Sequence, residues 1–211
     1  GHSAAVVPQL VEAIGPLEPR PPRDLTEVFA RLDDEGRRRA PGLAALNETI
    51  MSVVPEDTII GGDSSQVTYL GSTTFFRAQQ PRSLLYMGTY ATLGYGLPAS
   101  IGAKLAAPHR PVLCLVGDGA LMFSVQELMT AVELGLDLPI VCVDNGGYGE
   151  IRQNMADRGI DPLAVDLRQP DWPALAEACG AVGIEATQDT LAEKVAEALG
   201  TRGPSLVHLR I

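Results

Sequence analysis

The stretch of sequence that decides the fold is Val112-Leu-Cys-Leu-Val116, which runs directly into Gly117-Asp118-Gly119-Ala120. A second apolar run, Ile140-Val-Cys-Val143, leads in the same way into Asp144-Asn145-Gly146-Gly147. Continuously apolar runs of this length predict strands buried on both faces, which is typical of parallel sheets. Because the carboxyl ends of parallel strands lie at one edge of a sheet, we expect the two polar turns to meet there.

Strand and helix patterns alternate along most of the chain. Apolar spacing and capping residues predict helices over residues 24–39, 43–53, 98–107 and 124–135. Apolar runs predict strands over 57–61, 83–87, 112–116, 140–143 and 205–211, with two further helices before the last strand. Ser124 and Thr190, each followed three residues later by Glu, predict capping boxes. The alternation predicts an α/β fold, a three-layer sandwich whose mostly parallel central sheet is covered by helices on both faces.

The amino-terminal part differs from the rest in composition. Gly1-His2-Ser3 looks like the remnant of a cleaved tag. Residues 4–22 carry five prolines, which predict a linker rather than a packed element. We therefore assign residues 1–3 to a tag, residues 4–40 to a Pro-rich linker and a helix capped by Asp24, and residues 41–211 to the compact domain.

Charge and hydropathy restrict the partners. The chain has 16 Lys and Arg against 26 Asp and Glu, a net charge of −10, which is the wrong sign for binding nucleic acid or anionic membranes. No apolar run approaches the ~20 residues needed to span a bilayer, and the amino end lacks a signal-peptide pattern. We expect a cytoplasmic protein that binds neither nucleic acid nor membrane.

The cysteines and histidines give little support to nucleophilic catalysis. Cys114, Cys142 and Cys179 lie in apolar or helical stretches, where buried free thiols are expected. Only His109 and His208 remain beyond the tag remnant. A Ser/His/Asp or Cys/His site is therefore disfavoured.

The two glycine-containing turns suit a phosphate ligand. Glycines let backbone N–H groups approach a ligand, and the helix after each turn directs its positive end to the same point. Asp118 and Asn145 supply a carboxylate and a neutral oxygen, a set that suits Mg²⁺ together with phosphate oxygens and water. The sequence indicates a Mg²⁺-diphosphate site, although Gly-Asp-Gly alone is also an ordinary strand-end turn.

The spacing of the two turns resembles the thiamine diphosphate signature. Residues 120–144 separate Gly119 from Asn145, an interval of 25 residues. The segment Thr92–Ala103 is similar to the one that precedes this signature in acetolactate synthases and 2-oxo acid decarboxylases. The resemblance implies that Mg²⁺ is held by the side chains of Asp118 and Asn145 and by the Gly147 carbonyl. Asp144 departs from the family pattern, which usually has Asn there.

The resemblance also implies a set of cofactor contacts. Leu93 would support the bent cofactor from below, and the Ala91 carbonyl would receive the pyrimidine amino group, although the family usually has Gly at that position. The implied cofactor-binding residues are Ser64, Ser65, Gln66, Ala91, Leu93, Gly117, Asp118, Gly119, Ala120, Asn145, Gly147, Tyr148 and Gly149. Taken alone, Leu93 reads as a core leucine, residues 64–66 as turn formers, and Met122 and Met129 as core residues.

The activity that the resemblance implies is decarboxylation of a 2-oxo acid, in which the cofactor ylid attacks the acid, carbon dioxide leaves and an aldehyde is released. Pyruvate-decarboxylase-like members have a catalytic Glu where this chain has Ile151, and Glu150 is expected to point elsewhere on the helix. The stretch Asn145–Arg152 looks closer to benzoylformate-type and guanidino-oxo-acid decarboxylases. An acetolactate synthase-like carboligase is the alternative, and a non-catalytic diphosphate-binding module is a further one.

The resemblance covers residues 43–211 and corresponds to the last of three family domains. It implies that this chain is a piece of a longer enzyme, inactive alone and without an assignable catalytic residue. The pyrimidine-binding domain of another subunit would complete the site, in a homodimer or homotetramer.

Overall fold

The computed structural model describes residues 2–16 and 24–211, which belong to two units, Gly1–Arg31 and Leu32–Ile211. In the first unit, helix α1 spans Ser3–Ile14 and has no buried side chain. Helix α2, Thr26–Arg39, begins two residues after Asp24, whose carboxylate accepts the N–H of the first helical residue, Thr26, at 3.0 Å.

Helix α1 corrects the expectation that residues 4–22 lack a regular element. Pro8 lies inside this helix, although proline removes a backbone donor and is costly there. Val7, Leu10, Val11 and Ile14 recur at helical spacing, a signal that the proline count obscured. Residues 17–23, which hold the other linker prolines after Pro16, lie outside the described part of the chain.

The second unit is built on a six-stranded parallel sheet. Its strands are β1 Ile59–Gly62, β2 Leu84–Leu85, β3 Val112–Gly117, β4 Pro139–Asp144, β5 Val182–Ala186 and β6 Ser205–Arg210. The strand order is β2-β1-β3-β4-β6-β5, and all neighbouring strands are parallel. Strand β5 was not predicted, because an edge strand that is half exposed and contains Gly183 and Glu185 lacks a continuous apolar run.

Helices and one π-helical segment connect the strands. They are α3 Pro41–Met51, the π-helix Val67–Ser72, α4 Thr73–Phe75, α5 Gly96–Ala106, α6 Asp118–Leu121, α7 Glu127–Glu133, α8 Gly149–Asp157, α9 Trp172–Ala178 and α10 Leu191–Gly200. Neither predicted capping box forms. Turns precede α7, so the Ser124 carbonyl accepts the Glu127 N–H at 2.9 Å. Before α10, the Thr190 hydroxyl accepts the Thr187 N–H at 2.9 Å.

The core lies on both faces of the sheet. Along β3, Val112, Cys114 and Val116 pack in one apolar cluster, and Leu113 and Leu115 pack in the other. Successive side chains of a strand point to opposite faces, so the two clusters are the two sides of one sheet. Trp172 of α9 lies in the first cluster and Leu191 of α10 in the second. The predicted three-layer α/β fold is confirmed.

The prediction that Met122 and Met129 lie in the core is wrong. Met122 is 47% exposed and Met129 is 44% exposed. Methionine is often buried, but residue type alone does not determine burial, and both side chains are exposed in this chain. Within the described ranges, none of the helices combines the length and apolarity required to cross a bilayer.

The chain reverses its direction across the sheet between β1 and β3. From β1 it moves to β2 at one edge, and from β3 it continues toward β4 on the other side. In open parallel sheets, ligands bind at the carboxyl ends of the strands where such a reversal occurs. Residues 63–66, 118–121 and 145–149 follow β1, β3 and β4 and therefore meet at this point.

Candidate functional site

A cavity of about 370 Å³ opens at the carboxyl ends of β1, β3 and β4. All thirteen residues predicted to bind a cofactor line it: Ser64, Ser65, Gln66, Ala91, Leu93, Gly117, Asp118, Gly119, Ala120, Asn145, Gly147, Tyr148 and Gly149. Other lining residues were not predicted, and they include Leu43, Val67, Tyr69, Tyr86, Val143, Glu150 and Ile151. The structure thus brings the whole predicted set to one place, while its binding roles remain predictions.

Asp118 is a buried carboxylate at the end of β3 and is only 1% exposed. Its Oδ1 accepts the Asn145 N–H at 3.4 Å, whereas its buried Oδ2 has no hydrogen-bond partner in the described chain. Burial raises the pKa of this carboxyl, and the charge of Asp144 raises it further, against the lowering effect of backbone N–H groups. A nearby cation would therefore stabilise the ionised form of Asp118.

The amide of Asn145 is oriented by its neighbour Gln66. Asn145 Nδ2 donates to Gln66 Oε1 at 3.2 Å, and Gln66 Nε2 donates to Glu150 Oε2 at 3.1 Å. Asn145 Oδ1 is buried and finds no partner among the described residues. Because the amide nitrogen is committed to Gln66, the oxygen is the atom left free to bind a ligand.

The donor set fits a small hard cation. Two buried oxygens without partners, Asp118 Oδ2 and Asn145 Oδ1, follow neighbouring strands. One carboxylate and neutral oxygens suit Mg²⁺, which keeps several waters or phosphate oxygens. Within residues 2–16 and 24–211, no group of three His, Cys, Asp or Glu side chains could hold a metal, so a carbonyl such as that of Gly147 would have to supply a third protein ligand.

Glycines allow the two turns to approach each other. A Cβ on Gly119 would lie 3.1 Å from the Gly147 carbonyl oxygen and 3.1 Å from the Tyr148 ring. Gly147 itself has a φ of +131°, and a Cβ there would lie 2.3 Å from the Val165 carbonyl oxygen. These positions require glycine for the backbone carbonyl of Gly147 to face Gly119.

Asp144, the departure from the family pattern, is tied into the sheet. Its Oδ1 accepts the Gly146 N–H at 2.8 Å, and its Oδ2 lies 3.2 Å from His208 Nε2 on β6. His208 Nδ1 lies 2.8 Å from a carboxylate oxygen of Glu185 on β5. This series of side chains supports the turn after β4 from beneath, and sequence reasoning missed it because His208 and Asp144 are 64 positions apart.

A second support comes from the segment that follows α8. Tyr148 N donates to the Val165 carbonyl at 2.9 Å, and Leu167 N donates to the Gly146 carbonyl at 2.9 Å. Arg152 contacts Asp166 at 3.0 Å and donates to the Asn145 carbonyl at 3.1 Å. Arg152 therefore braces the turn rather than lining the cavity, a role that no local motif indicated.

Asp63 organises the loop after β1. Its buried carboxylate accepts the Ser64 N–H at 2.8 Å and the Gly96 N–H at 2.7 Å. These bonds fix the loop at residues 64–66 and attach it to the start of α5. Asp63 is thus a structural residue beneath the predicted cofactor contacts.

Ala91 has the backbone conformation that favours glycine. Its φ is +58°, in the left-handed region where a non-glycine residue is strained. Leu93, two residues later, is half-buried and lines the cavity. The glycine that the resemblance implies at position 91 would suit this conformation, which the chain adopts with alanine.

The expectation that Glu150 points elsewhere on the helix is wrong, because Glu150 lines the cavity together with Ile151. Its Oε2 accepts from Gln66 and from the Tyr69 hydroxyl at 2.9 Å, and its Oε1 accepts from Asn154 Nδ2 at 3.1 Å. The hydrogen bond from Gln66 is the largest of several effects that lower the pKa of this carboxyl. Burial and the Glu150 contact raise the pKa of Tyr69.

Comparison with known proteins agrees with this geometry. Residues 65–209 match the family described as "Thiamine pyrophosphate enzyme, C-terminal TPP binding domain". The chain is 39% identical over 212 aligned residues to "Probable 2-ketoarginine decarboxylase AruI" of Pseudomonas aeruginosa, covering 96% of this chain and 38% of that protein. It is 32% identical to "Acetolactate synthase isozyme 3 large subunit" of Escherichia coli, over 74% of this chain and 27% of that protein.

A solved structure has the same fold. It is the thiamine diphosphate-dependent 4-hydroxybenzoylformate decarboxylase of Rhodococcus jostii RHA1, with a TM-score of 0.72 and 28% identity, covering 80% of this chain and 32% of that one. The chain therefore spans less than two-fifths of the length of these relatives. The family match covers more than half of the chain, the fold agrees, and the predicted recognition is confirmed: this chain belongs to the thiamine pyrophosphate enzymes and carries their C-terminal TPP-binding domain.

Proposed function

We propose that this chain is the diphosphate- and Mg²⁺-binding part of a thiamine diphosphate-dependent 2-oxo acid decarboxylase. The observation that carries the proposal is the pair of buried oxygens without partners, Asp118 Oδ2 and Asn145 Oδ1, in a cavity of a TPP-binding domain. Neither oxygen is satisfied within the described protein, and buried polar atoms in that state require a ligand or an explanation.

The chemistry of the reaction would come from the cofactor. When bound, thiamine diphosphate supplies a nucleophilic carbon that adds to the 2-oxo acid and accepts electrons as carbon dioxide leaves. Overall, the 2-oxo acid takes up one proton and yields an aldehyde and carbon dioxide.

The chain's own residues would bind and orient the cofactor. Asp118, Asn145 and the Gly147 carbonyl would hold Mg²⁺, and backbone N–H groups of the glycine turns would bind the diphosphate. Leu93 would support the bent cofactor, and the Ala91 carbonyl would accept its amino group. Ser64, Ser65 and Gln66 face the same cavity from β1.

Decarboxylation is favoured over carboligation by two comparisons. The relative that matches 96% of this chain is named a decarboxylase, and so is the Rhodococcus structure. An acetolactate synthase-like carboligase remains the second candidate, supported by relatives about one-third identical, such as the Escherichia coli isozyme at 32%. A non-catalytic diphosphate module is a weaker third candidate, because a leucine support for a bent cofactor would have no use in it.

We also propose that the chain is inactive alone. Exposed apolar residues lie close to the cavity: Tyr90, which is 86% exposed, neighbours the lining residue Ala91, and the exposed Phe123 lies 6.5 Å from the Tyr148 ring. A pyrimidine-binding domain of another subunit would cover them and complete the site, in a homodimer or homotetramer. The free thiols Cys114, Cys142 and Cys179 support a cytoplasmic location.

Product analysis with the full-length enzyme tests the proposal. The protein, loaded with thiamine diphosphate and Mg²⁺, is incubated with a panel of 2-oxo acids, and aldehydes and acetohydroxy acids are quantified. We expect aldehyde as the main product. Predominant acetohydroxy acid would favour carboligation, and turnover by the isolated 211-residue chain would refute its inactivity.

A further inference from the structure

Glu150 is an anion at the cavity that the diphosphate and metal chemistry does not use. It lies in the first turn of α8, and its carboxylate is held by Gln66, Tyr69 and Asn154. All three donors are neutral, so they fix the position of the carboxylate without cancelling its charge. A carboxylate has about four acceptor sites, and three hydrogen bonds leave room for another donor.

A simpler role for Glu150 explains less of this geometry. An acidic residue in the first turn of a helix is stabilised by the helix dipole, and that effect needs no partner from another element. Here Gln66 and Tyr69 come from the segment after β1, more than 80 positions away in sequence. The carboxylate is thus held in one orientation at the cavity, as expected for a group that contacts a ligand.

Among the described residues that line the cavity, none has a cationic side chain that could neutralise Glu150. These lining residues include two carboxylates, Asp118 and Glu150, and no Lys, Arg or His. Among the described residues, Glu150 takes part in no ion pair, and Arg39 acts on it only as the weakest of the influences on its pKa. In the proposed function Mg²⁺ would neutralise Asp118, which leaves Glu150 as the unmatched charge.

The position of Glu150 places that charge close to the proposed metal site. A single side chain, that of Gln66, spans from the proposed metal ligand Asn145 to Glu150. The carboxylate of a 2-oxo acid would be repelled by Glu150, so the other end of the substrate would have to face it. Glu150 is exposed in this chain, and an apolar tail packed against it would remove water from the carboxylate without supplying a counter-charge, which is costly.

We propose that Glu150 selects 2-oxo acids whose side chain ends in a cationic group, a guanidinium or an ammonium. This inference rests on the proposed decarboxylase function and adds the substrate class and the residue that recognises its cationic group. Both cations donate charge-assisted hydrogen bonds to a carboxylate, and the planar guanidinium matches it better.

The test compares a cationic substrate with a neutral substrate of the same shape. The full-length enzyme with thiamine diphosphate and Mg²⁺ is assayed on 5-guanidino-2-oxopentanoate and on 5-ureido-2-oxopentanoate. We expect kcat/KM to favour the guanidino acid over the ureido acid by about tenfold to hundredfold. Added salt should reduce that ratio.

Variants of Glu150 assign the preference to this residue. Glu150→Gln should lower the guanidino-to-ureido ratio to about threefold or less, whereas Glu150→Asp, which keeps the charge, should retain part of it. Glu177→Gln removes the same charge from an exposed position outside the cavity and should leave the ratio unchanged. Binding of thiamine diphosphate to each variant is measured in parallel by titration, and weaker binding identifies a damaged cofactor site. If Glu150→Gln damages that site, the guanidino-to-ureido ratio of Glu150→Asp still tests the assignment.

The outcomes separate the two proposals. A wild-type enzyme that decarboxylates 2-oxo acids without preferring the cationic ones, or a preference that survives Glu150→Gln, overturns the role of Glu150 and leaves the decarboxylase function intact. Failure to decarboxylate any 2-oxo acid, with the cofactor bound, refutes the proposed function and the role of Glu150 with it.

Discussion

The turns after β3 and β4 supply the two oxygens of the proposed metal site in different ways. The turn after β3 becomes helix α6 at once, and the Asp118 carboxylate is contacted there by backbone N–H groups, with a long hydrogen bond of 3.4 Å from the Asn145 N–H. The turn after β4 is held from four other places, by the side chains of Gln66, Arg152 and His208 and by the backbone of the segment 165–167. A carboxylate presents an oxygen in any orientation, whereas an amide must be turned to present its oxygen.

The largest expected effect is at the turn after β3. Asp118→Asn should weaken Mg²⁺-dependent binding of thiamine diphosphate to the full-length protein by more than about 100-fold, because the charged ligand is lost. The same change should stabilise the cofactor-free protein by about 1 kcal/mol, because a buried and desolvated charge is removed. Calorimetric titration and thermal unfolding measure the two effects.

Asp161→Asn is the matched control for Asp118→Asn. Asp161 is exposed and lies outside the cavity, so its change should move neither quantity. Unchanged Mg²⁺-dependent binding by Asp118→Asn would refute the metal assignment.

The next largest effect tests whether the turn after β4 depends on its supports. Gln66→Met keeps the length of the side chain but removes the acceptor for Asn145 Nδ2. Loss of such an orienting partner should weaken Mg²⁺ binding by about 10- to 100-fold. Gln80→Ala, at an exposed position away from the site, is the control, and equal metal affinities in the two variants would contradict the orienting role.

Asp144 and His208 offer a smaller and more selective test. Asp144→Ala removes the acceptor for the Gly146 N–H and the contact with His208, and should weaken Mg²⁺ binding by about tenfold. Asp144→Asn keeps an acceptor for Gly146 and restores the usual family residue, so it should cost less than about threefold. A double-mutant cycle with His208→Ala, read by chemical unfolding, should give a coupling free energy of about 0.5–3 kcal/mol.

The smallest expected effect concerns backbone strain in the loop that carries Ala91. Ala91 and Ala164 have φ values of +58° and +59°, so each change to Gly should raise the free energy of unfolding by up to about 1 kcal/mol. Only Ala91 lines the cavity. Ala91→Gly should therefore be the variant that also changes the affinity for thiamine diphosphate, and identical cofactor affinities for both variants would show that the strain at Ala91 is unrelated to the site.

The strand ends of the site could be predicted from the sequence, and their supports could not. Val112–Val116 and Ile140–Val143 are continuously apolar, so their burial and the placement of Asp118 and Asn145 follow from local pattern. The contacts of Asp144 with His208, or of Gln66 with Glu150, join residues 64 and 84 positions apart. Such pairs depend on strand order and helix placement, which hydropathy alone does not specify.

The errors have related causes. The position of Glu150 was inferred from the side-chain directions of a regular helix, without the neighbouring Tyr69 and Gln66 that hold its carboxylate at the cavity. Met122 and Met129 were assigned by residue type, although they are exposed in this chain. Strand β5 was missed because polar and small residues interrupt it.

Strand β6 has a consequence for the order in which the molecule assembles. It follows every other strand in sequence, yet it lies between β4 and β5 and pairs with both. During synthesis, β5 would have no neighbouring strand in the sheet until residues 205–210 had emerged from the ribosome. Until then, the turn at Asp144 would also lack its contact with the His208 imidazole. Completion of the proposed metal-binding turn would therefore wait for β6 to insert between β4 and β5, a contact between parts of the chain that are distant in sequence.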